Sequence, residues 1–171
     1  MKGDVALITR FIPFFTSIFL HGGWFHVIWN VWFLWIFGDN VEDHLGHLKF
    51  LFFYITCGVL AGVAHVYMNP TSMVPTIGAS GAIAGVMGAY IFLFPRAKVL
   101  TLIPIFLFFP IIHIPAFVFL GFWFLVQFLS GFASLSISGG YSDVAWWAHI
   151  GGFMVGLLTV MFVFPRRKNY Y

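Results

Sequence analysis

The sequence predicts an all-α membrane protein, a polytopic helical bundle, and three observations carry that reading. Of its 171 residues, 61% are hydrophobic and 8% charged, with mean hydropathy +0.99. That leaves too little charged surface for a water-soluble domain. The apolar runs have helix lengths and lack the period-two alternation of a membrane β-barrel strand. Lys49, Arg96, Lys98, Arg166, Arg167 and Lys168 all fall at one side of the threaded runs, with only Lys2 and Arg10 opposite. Cationic loops stay inside, so the Arg96 end and the C-terminus are cytoplasmic and the loops at 69–79 and 130–143 face outward. The net charge of +3 is spent at these helix ends and does not point to nucleic acid. Cys57, the single cysteine, has no partner for an internal disulfide.

Each element follows from the chain in order. Residues 1–23 are interrupted by Lys2, Arg10 and Pro13 and end at His21-Gly22-Gly23, so they read as an interfacial loop segment. A first span covers about 24–38 and closes at Gly38-Asp39-Asn40, followed by a charged loop with Glu42, Asp43, His44 and His47. A second covers about 49–68, and a third runs over 80–94 to Pro95-Arg96. Pro104 and Pro110 bar a straight helix across 99–114, which reads as an interfacial or re-entrant stretch. Pro115 opens a fourth span, about 115–130, at the first helical position that proline favours. A Gly/Ser-rich loop then leads to a last span at about 144–164. The expectation is a single membrane domain over 1–171 with about five spans.

The stretch Gly78-Ala79-Ser80-Gly81-Ala82-Ile83-Ala84-Gly85 organises the rest. A Pro-bearing polar loop precedes it, which puts Ser80 on a first helical turn, where backbone N–H groups are free and the dipole favours an anion. Gly78, Gly81, Gly85 and Gly88 leave one face bare for a neighbouring helix. An N-cap serine on a Gly-packed transporter helix is the bland alternative; a nucleophile needs a base beside it. His149 supplies a candidate. Counting back from each helix's cytoplasmic boundary puts Ser80 roughly 22 Å up, His149 roughly 24 Å and His26 roughly 20 Å, one layer within a core about 30 Å thick. Gly152 and Gly156 share the face of His149, so two bare faces can meet and Ser80 Oγ can reach a ring nitrogen. Asp143 is six residues from His149 and solvated, so a two-residue dyad is expected. His26 and Asn30 share a helical face and can aim N–H groups at an oxyanion; an interhelical hydrogen bond is the plainer role. His65 reaches the same layer but reads as a structural hydrogen-bonding residue. His44 and His47 read as solvated, and His113 carries no assigned role.

These residues form three motifs on three helices: His21-x4-His26-x3-Asn30, Gly78-x-Ser80-Gly81 and Ala145-x2-Ala148-His149-x2-Gly152. In that order and spacing the sequence resembles the rhomboid family of intramembrane serine proteases, over about residues 11–165. The loop from Gly38 to Gly46 is similar to the one after the family's second helix. The resemblance implies Ser80 as nucleophile, His149 as general base, and an oxyanion hole from His26, Asn30 and the Ser80 amide, with Gly78 admitting the substrate backbone. His21, Gly81, Ala148 and Gly152 are the supporting motif positions. The resemblance further implies cleavage of transmembrane protein substrates near their outer ends, after a small residue, without metal or cofactor. Trp123 and Gln127, in 115–130, would belong to a helix gating lateral entry, and 131–148 would form a cap loop. Two features depart from the pattern: the family's first core helix has no counterpart before His21, and Ala84 stands where some members carry an aromatic against the catalytic histidine. Compactness and the resemblance point to a bacterial inner (plasma) membrane.

The expected partners are transmembrane substrates and the lipid bilayer. An inactive rhomboid-like protein that binds membrane clients is the alternative that the missing helix raises. A transporter, channel or haem-binding bundle using His26, His65 and His149 is another, and it leaves Gly78-Ala79-Ser80-Gly81 unexplained.

Overall fold

A helix built from small residues can be enclosed on all sides, and that is the position of α4 (Ser80–Leu93) in the computed structural model, which describes residues 9, 11–70, 75–103, 109–136 and 144–164. Gly81 through Tyr90, and Leu93, are all buried. Around α4 stand α1 (Phe11–Phe19, its last turn 3-10), α2 (Trp24–Leu45), α3 (His47–Met68), α5 (Ala116–Ser136) and α6 (Trp146–Phe162). A hairpin of β1 (Lys98–Leu102) and β2 (Ile111–Pro115) joins α4 to α5.

The contact of α4 with α6 is the most extensive in the bundle, and glycine makes it possible. A Cβ on Gly152 would collide with the Gly81 carbonyl oxygen, and one on Gly156 with the Gly85 carbonyl oxygen. From the other side, a Cβ on Gly88 would collide with the Phe153 carbonyl oxygen. In lipid no hydrophobic force draws two apolar helices together, so close van der Waals packing of this kind must hold them. On α3, Ala61 and Ala64 fit against Gly81 and Gly151. The same helix receives α1: Ile18 seats over Gly58 and Phe14 over Gly62. Phe37, Val41 and Leu45 form the buried stripe of α2, and Phe37 meets Tyr90 edge-on at 5.1 Å. The outer faces are aromatic and uncovered, as with Trp24, Trp29, Trp32 and Trp35 of α2 and Phe122 and Phe132 of α5. Lipid is the solvent that suits such faces.

The chain is thus a helical membrane protein. Among the described residues, two helices are long and apolar enough to cross a bilayer, His47–Met68 and Ala116–Leu135, and α1 with α2, bent by 86°, add a third if the pair is counted as one span. Counted as spans from the sequence, α4 and α6 are shorter apolar helices of 14 and 17 residues.

Two expectations are corrected. The charged loop after Gly38 does not form; α2 continues to Leu45, because Phe37, Val41 and Leu45 keep one apolar stripe in phase while Asp39 and Asn40 stay outside. The ending comes at Gly46, whose positive φ of +83° glycine adopts without a Cβ penalty. The re-entrant stretch is replaced by the antiparallel hairpin, in register Lys98↔Pro115 to Leu102↔Ile111. Prolines bar a helix there but are tolerated at strand ends, and Val99, Thr101, Ile111, Ile112 and Ile114 are β-branched. The hairpin base is tied by the Ala116 N–H donating to the Ala97 carbonyl at 2.7 Å.

Gly156→Ala is expected to lower stability by about 1–3 kcal/mol, the usual cost of overpacking. Gly121→Ala, where a Cβ meets nothing within 4 Å, is expected to be neutral. Thermal unfolding of both variants in detergent checks this; equal melting temperatures would refute the close contact of α4 and α6.

Candidate active site

Ser80 is the first residue of α4, and the loop before it is pinned. The Gly78 N–H donates to the Ser17 carbonyl of α1 at 2.9 Å, and Gly78 holds φ +123°, which an L side chain rarely adopts. The amides of Ser80, Gly81 and Ala82 precede the first helical bond, from the Ile83 N–H to the Ala79 carbonyl. The start of α4 therefore presents free donors next to the hydroxyl.

His149 lies in the first turn of α6, opposite Ser80. The Ser80 hydroxyl and His149 Nε2 are 2.9 Å apart, and His149 Nδ1 is 2.7 Å from Gln127 Oε1 of α5. Since the amide oxygen only accepts, Nδ1–H donates to it; Nε2 is then the acceptor for the Ser80 hydroxyl. Trp123, one turn before Gln127, lies against the imidazole with ring centroids 5.9 Å apart and planes at 35°. Trp146 meets it edge-on at 6.5 Å. Gln127 is buried, while Ser80 and His149 keep partial exposure.

The expected His26–Asn30 pair stands across from Gly78. A Cβ on Gly78 would lie 2.7 Å from His26 Nε2 and 3.8 Å from Asn30 Nδ2, so both nitrogens face the backbone just before Ser80. The Gly22 N–H donates to His26 Nδ1 at 3.4 Å, which leaves the proton on Nε2, directed at the site. Asn30 is 7% exposed, and its Nδ2 is buried without a hydrogen-bond partner among the described residues. A buried, unpaired donor is costly unless something accepts from it in a working state. His21 packs its ring edge-on against His26 at 5.1 Å.

Ser80, His149, His26, Asn30 and Gly78 thus converge, with Gly81, Ala148 and Gly152 forming the close helix contact beneath them. His65, expected to make a structural hydrogen bond, has its ring Nδ1 buried and unpartnered among the described residues. His44 is half-buried against Phe94 and not free in solvent, whereas His47 is exposed and 2.6 Å from Glu42. Of the expected 130–143 loop, residues 130–136 are instead the last turns of α5, and 137–143, with Asp143, lie outside the described residues. Reading the sequence missed that Gln127 meets His149. A signal was present, because Gln127 is the one amide side chain between Ala116 and Leu129, and polar groups on membrane helices turn inward. No cluster of three or more His, Cys, Asp or Glu side chains able to hold a metal occurs among the described residues.

Gly78→Ala combines a strained φ with overlap on His26 and is expected to lower stability by about 1–3 kcal/mol. Gly23→Ala, where a Cβ meets nothing within 4 Å, is the control. Thermal unfolding in detergent decides; identical behaviour of the two variants would contradict the approach of His26 to Gly78.

Comparison with known proteins matches residues 9–166 to the rhomboid domain. Rhomboid protein 1, mitochondrial, of Saccharomyces cerevisiae is 31% identical over 88% of this chain and 41% of its own length. The human presenilin-associated rhomboid-like protein, mitochondrial, is 29% identical over 88% of this chain and 37% of its own. The putative rhomboid protease YdcA of Bacillus subtilis is 35% identical over 46% of this chain and 39% of its own. The chain therefore spans about two fifths of the length of the relatives it matches. These relatives include mitochondrial and bacterial proteins, so they do not support the bacterial inner membrane in particular; an integral membrane protein is what they establish. Matched by the family domain along nearly its whole length, with the motifs converging on one site, the chain belongs to the rhomboid family.

Proposed function

We propose that this chain is an intramembrane serine endopeptidase that cleaves transmembrane protein substrates with a Ser80–His149 dyad. The observation that supports this most directly is the Ser80 hydroxyl set 2.9 Å from His149 Nε2. That is the reach a general base needs to take a proton in the attack step. Ser80 Oγ adds to the scissile carbonyl carbon while its proton passes to Nε2. The carbonyl oxygen becomes an oxyanion facing His26 Nε2–H, Asn30 Nδ2 and the Ser80 amide. The C–N bond breaks as Nε2 returns the proton to the leaving amine, and an acyl-serine remains. A water molecule, deprotonated by the same nitrogen, then releases the acid and restores the hydroxyl. Asn30 Nδ2, without a partner among the described residues, finds its acceptor in this scheme when the oxyanion forms, which is where preorganised donors contribute most.

Geometry also favours a site near one face of the bilayer. At about 1.5 Å per residue, α4 and α6 are roughly 21 and 25 Å long, short of a core about 30 Å thick. Ser80 and His149, at the N-terminal ends of these helices, keep partial exposure, which suits a site set below one surface and open to water. Lys and Arg placement makes that surface the outer one, with the C-terminus cytoplasmic. A bacterial membrane and a mitochondrial membrane both suit this arrangement.

Purified protein is expected to react covalently with a fluorophosphonate probe, and Ser80→Ala and His149→Ala to abolish the reaction. Asn30→Ala is expected to slow it by about a hundredfold, as loss of one oxyanion donor does. Labelling that persists in Ser80→Ala would overturn the reading, and absence of labelling in the parent would favour a membrane-client binding protein.

A further inference from the structure

Neutral imidazole has two tautomers, and only one suits a base facing Ser80. With the proton on Nδ1, Nε2 keeps a lone pair for the serine proton; with it on Nε2, the ring can only donate toward Ser80. Something must select between them. The side chain four residues after Ser80 is Ala84, a buried methyl that offers no ring and no polar atom. Among the described residues, the side chain that meets His149 Nδ1 is Gln127, on a different helix, 22 residues back along the chain.

Three features suit Gln127 to that task. Its Oε1 is 2.7 Å from Nδ1, a short distance for a neutral N–H···O bond. The residue is 7% exposed, so water does not compete for the bond. Trp123 stands one helical turn earlier on the same face, against the imidazole at 5.9 Å and against Phe153 at 6.1 Å, and closes the ring's lateral freedom. With Oε1 turned to Nδ1, as it is here, the bond forms only in the Nδ1–H tautomer.

Resting on the reading of His149 as general base, we propose that Gln127 is a positioning residue of the site: its amide oxygen holds the Nδ1–H of His149 and so turns an unprotonated Nε2 to Ser80. The dyad is thereby supported by a third, neutral member, in place of a carboxylate. Gln127 touches no reacting atom; it acts through the orientation and tautomer of His149.

Two variants and two readouts test this on the whole chain in detergent. Gln127→Met keeps the length and removes the acceptor, and Gln127→Glu keeps an acceptor. Fluorophosphonate labelling rates are measured together with the ¹⁵N resonances of the His149 ring, assigned by their loss in His149→Ala. The parent is expected to carry Nδ1–H. In Gln127→Met the labelling rate is expected to fall about tenfold, the scale of one buried hydrogen bond, and the ring to gain Nε2–H. In Gln127→Glu the rate is expected to stay within about threefold of the parent with Nδ1–H retained. Parental labelling by Gln127→Met, or a parent ring with Nδ1 unprotonated, overturns the proposal while leaving the Ser80–His149 reading intact. If the parent does not label at all, that reading fails, and the ¹⁵N spectra still decide for Gln127: Nδ1–H lost in Gln127→Met supports it, and an unchanged tautomer refutes it. If Gln127→Met does not fold, the parent and Gln127→Glu spectra decide: Nδ1–H in both supports the proposal, and its absence from the parent refutes it.

Discussion

The backbone-to-backbone approach of α4 and α6, with no side chain between them at their glycines, is the constraint on which the rest of this bundle depends. Along α4 and α6 the carbonyl oxygens of Gly81 and Gly85 occupy the places where side chains of Gly152 and Gly156 would be. Ser80 and His149 sit at the same end of this contact, so the helix separation sets the distance from Oγ to Nε2. Ala61 and Ala64 of α3 close the third side on the same small-residue terms. The outer helices then serve as walls. They present aromatic faces to lipid and apolar stripes to α4, and they contribute the polar groups that the central pair lacks.

Those polar groups are arranged at some cost to the resting state. Asn30 Nδ2 is buried without an acceptor among the described residues, and Gly78 holds a positive φ where a Cβ would overlap His26. An unpaired buried donor destabilises by about 1–3 kcal/mol. Local cost of this kind concentrates where a structure is prepared for a charge that is not yet present. The dense packing beneath Ser80 is what lets the site keep it. His26 shows the same preparation in its tautomer, since the Gly22 N–H takes Nδ1 and leaves Nε2–H facing the site.

Much of this was legible in the chain because the signals were categorical. A run of small residues after a polar Pro-containing loop has few structural meanings in an apolar chain, and the Gly81, Gly85 and Gly88 spacing on α4 and Gly152 and Gly156 on α6 named the two faces that meet. Helix ends were read less well. Gly38 carried the look of a terminus, but a glycine stops a helix only where its φ turns positive, and the burial of Phe37 and Val41 carried α2 through to Gly46. The segment around Pro104 and Pro110 reads as an interfacial or re-entrant stretch because prolines exclude helices; the β-branched residues that flank the two prolines are what favour a hairpin. Gln127 escaped because a hydrogen bond between α5 and α6 is a property of how two helices are rotated, which no local spacing encodes.

The central claim is that Ser80 and His149 form one reactive centre with the donors of α2 around it. A structure determined experimentally with a phosphonate inhibitor bound tests it most directly. The account requires density continuous from Ser80 Oγ to phosphorus, with the phosphonyl oxygen within hydrogen-bond distance of His26 Nε2 and Asn30 Nδ2. A phosphonate attached elsewhere, or one on Ser80 whose oxygen points away from α2, would contradict it.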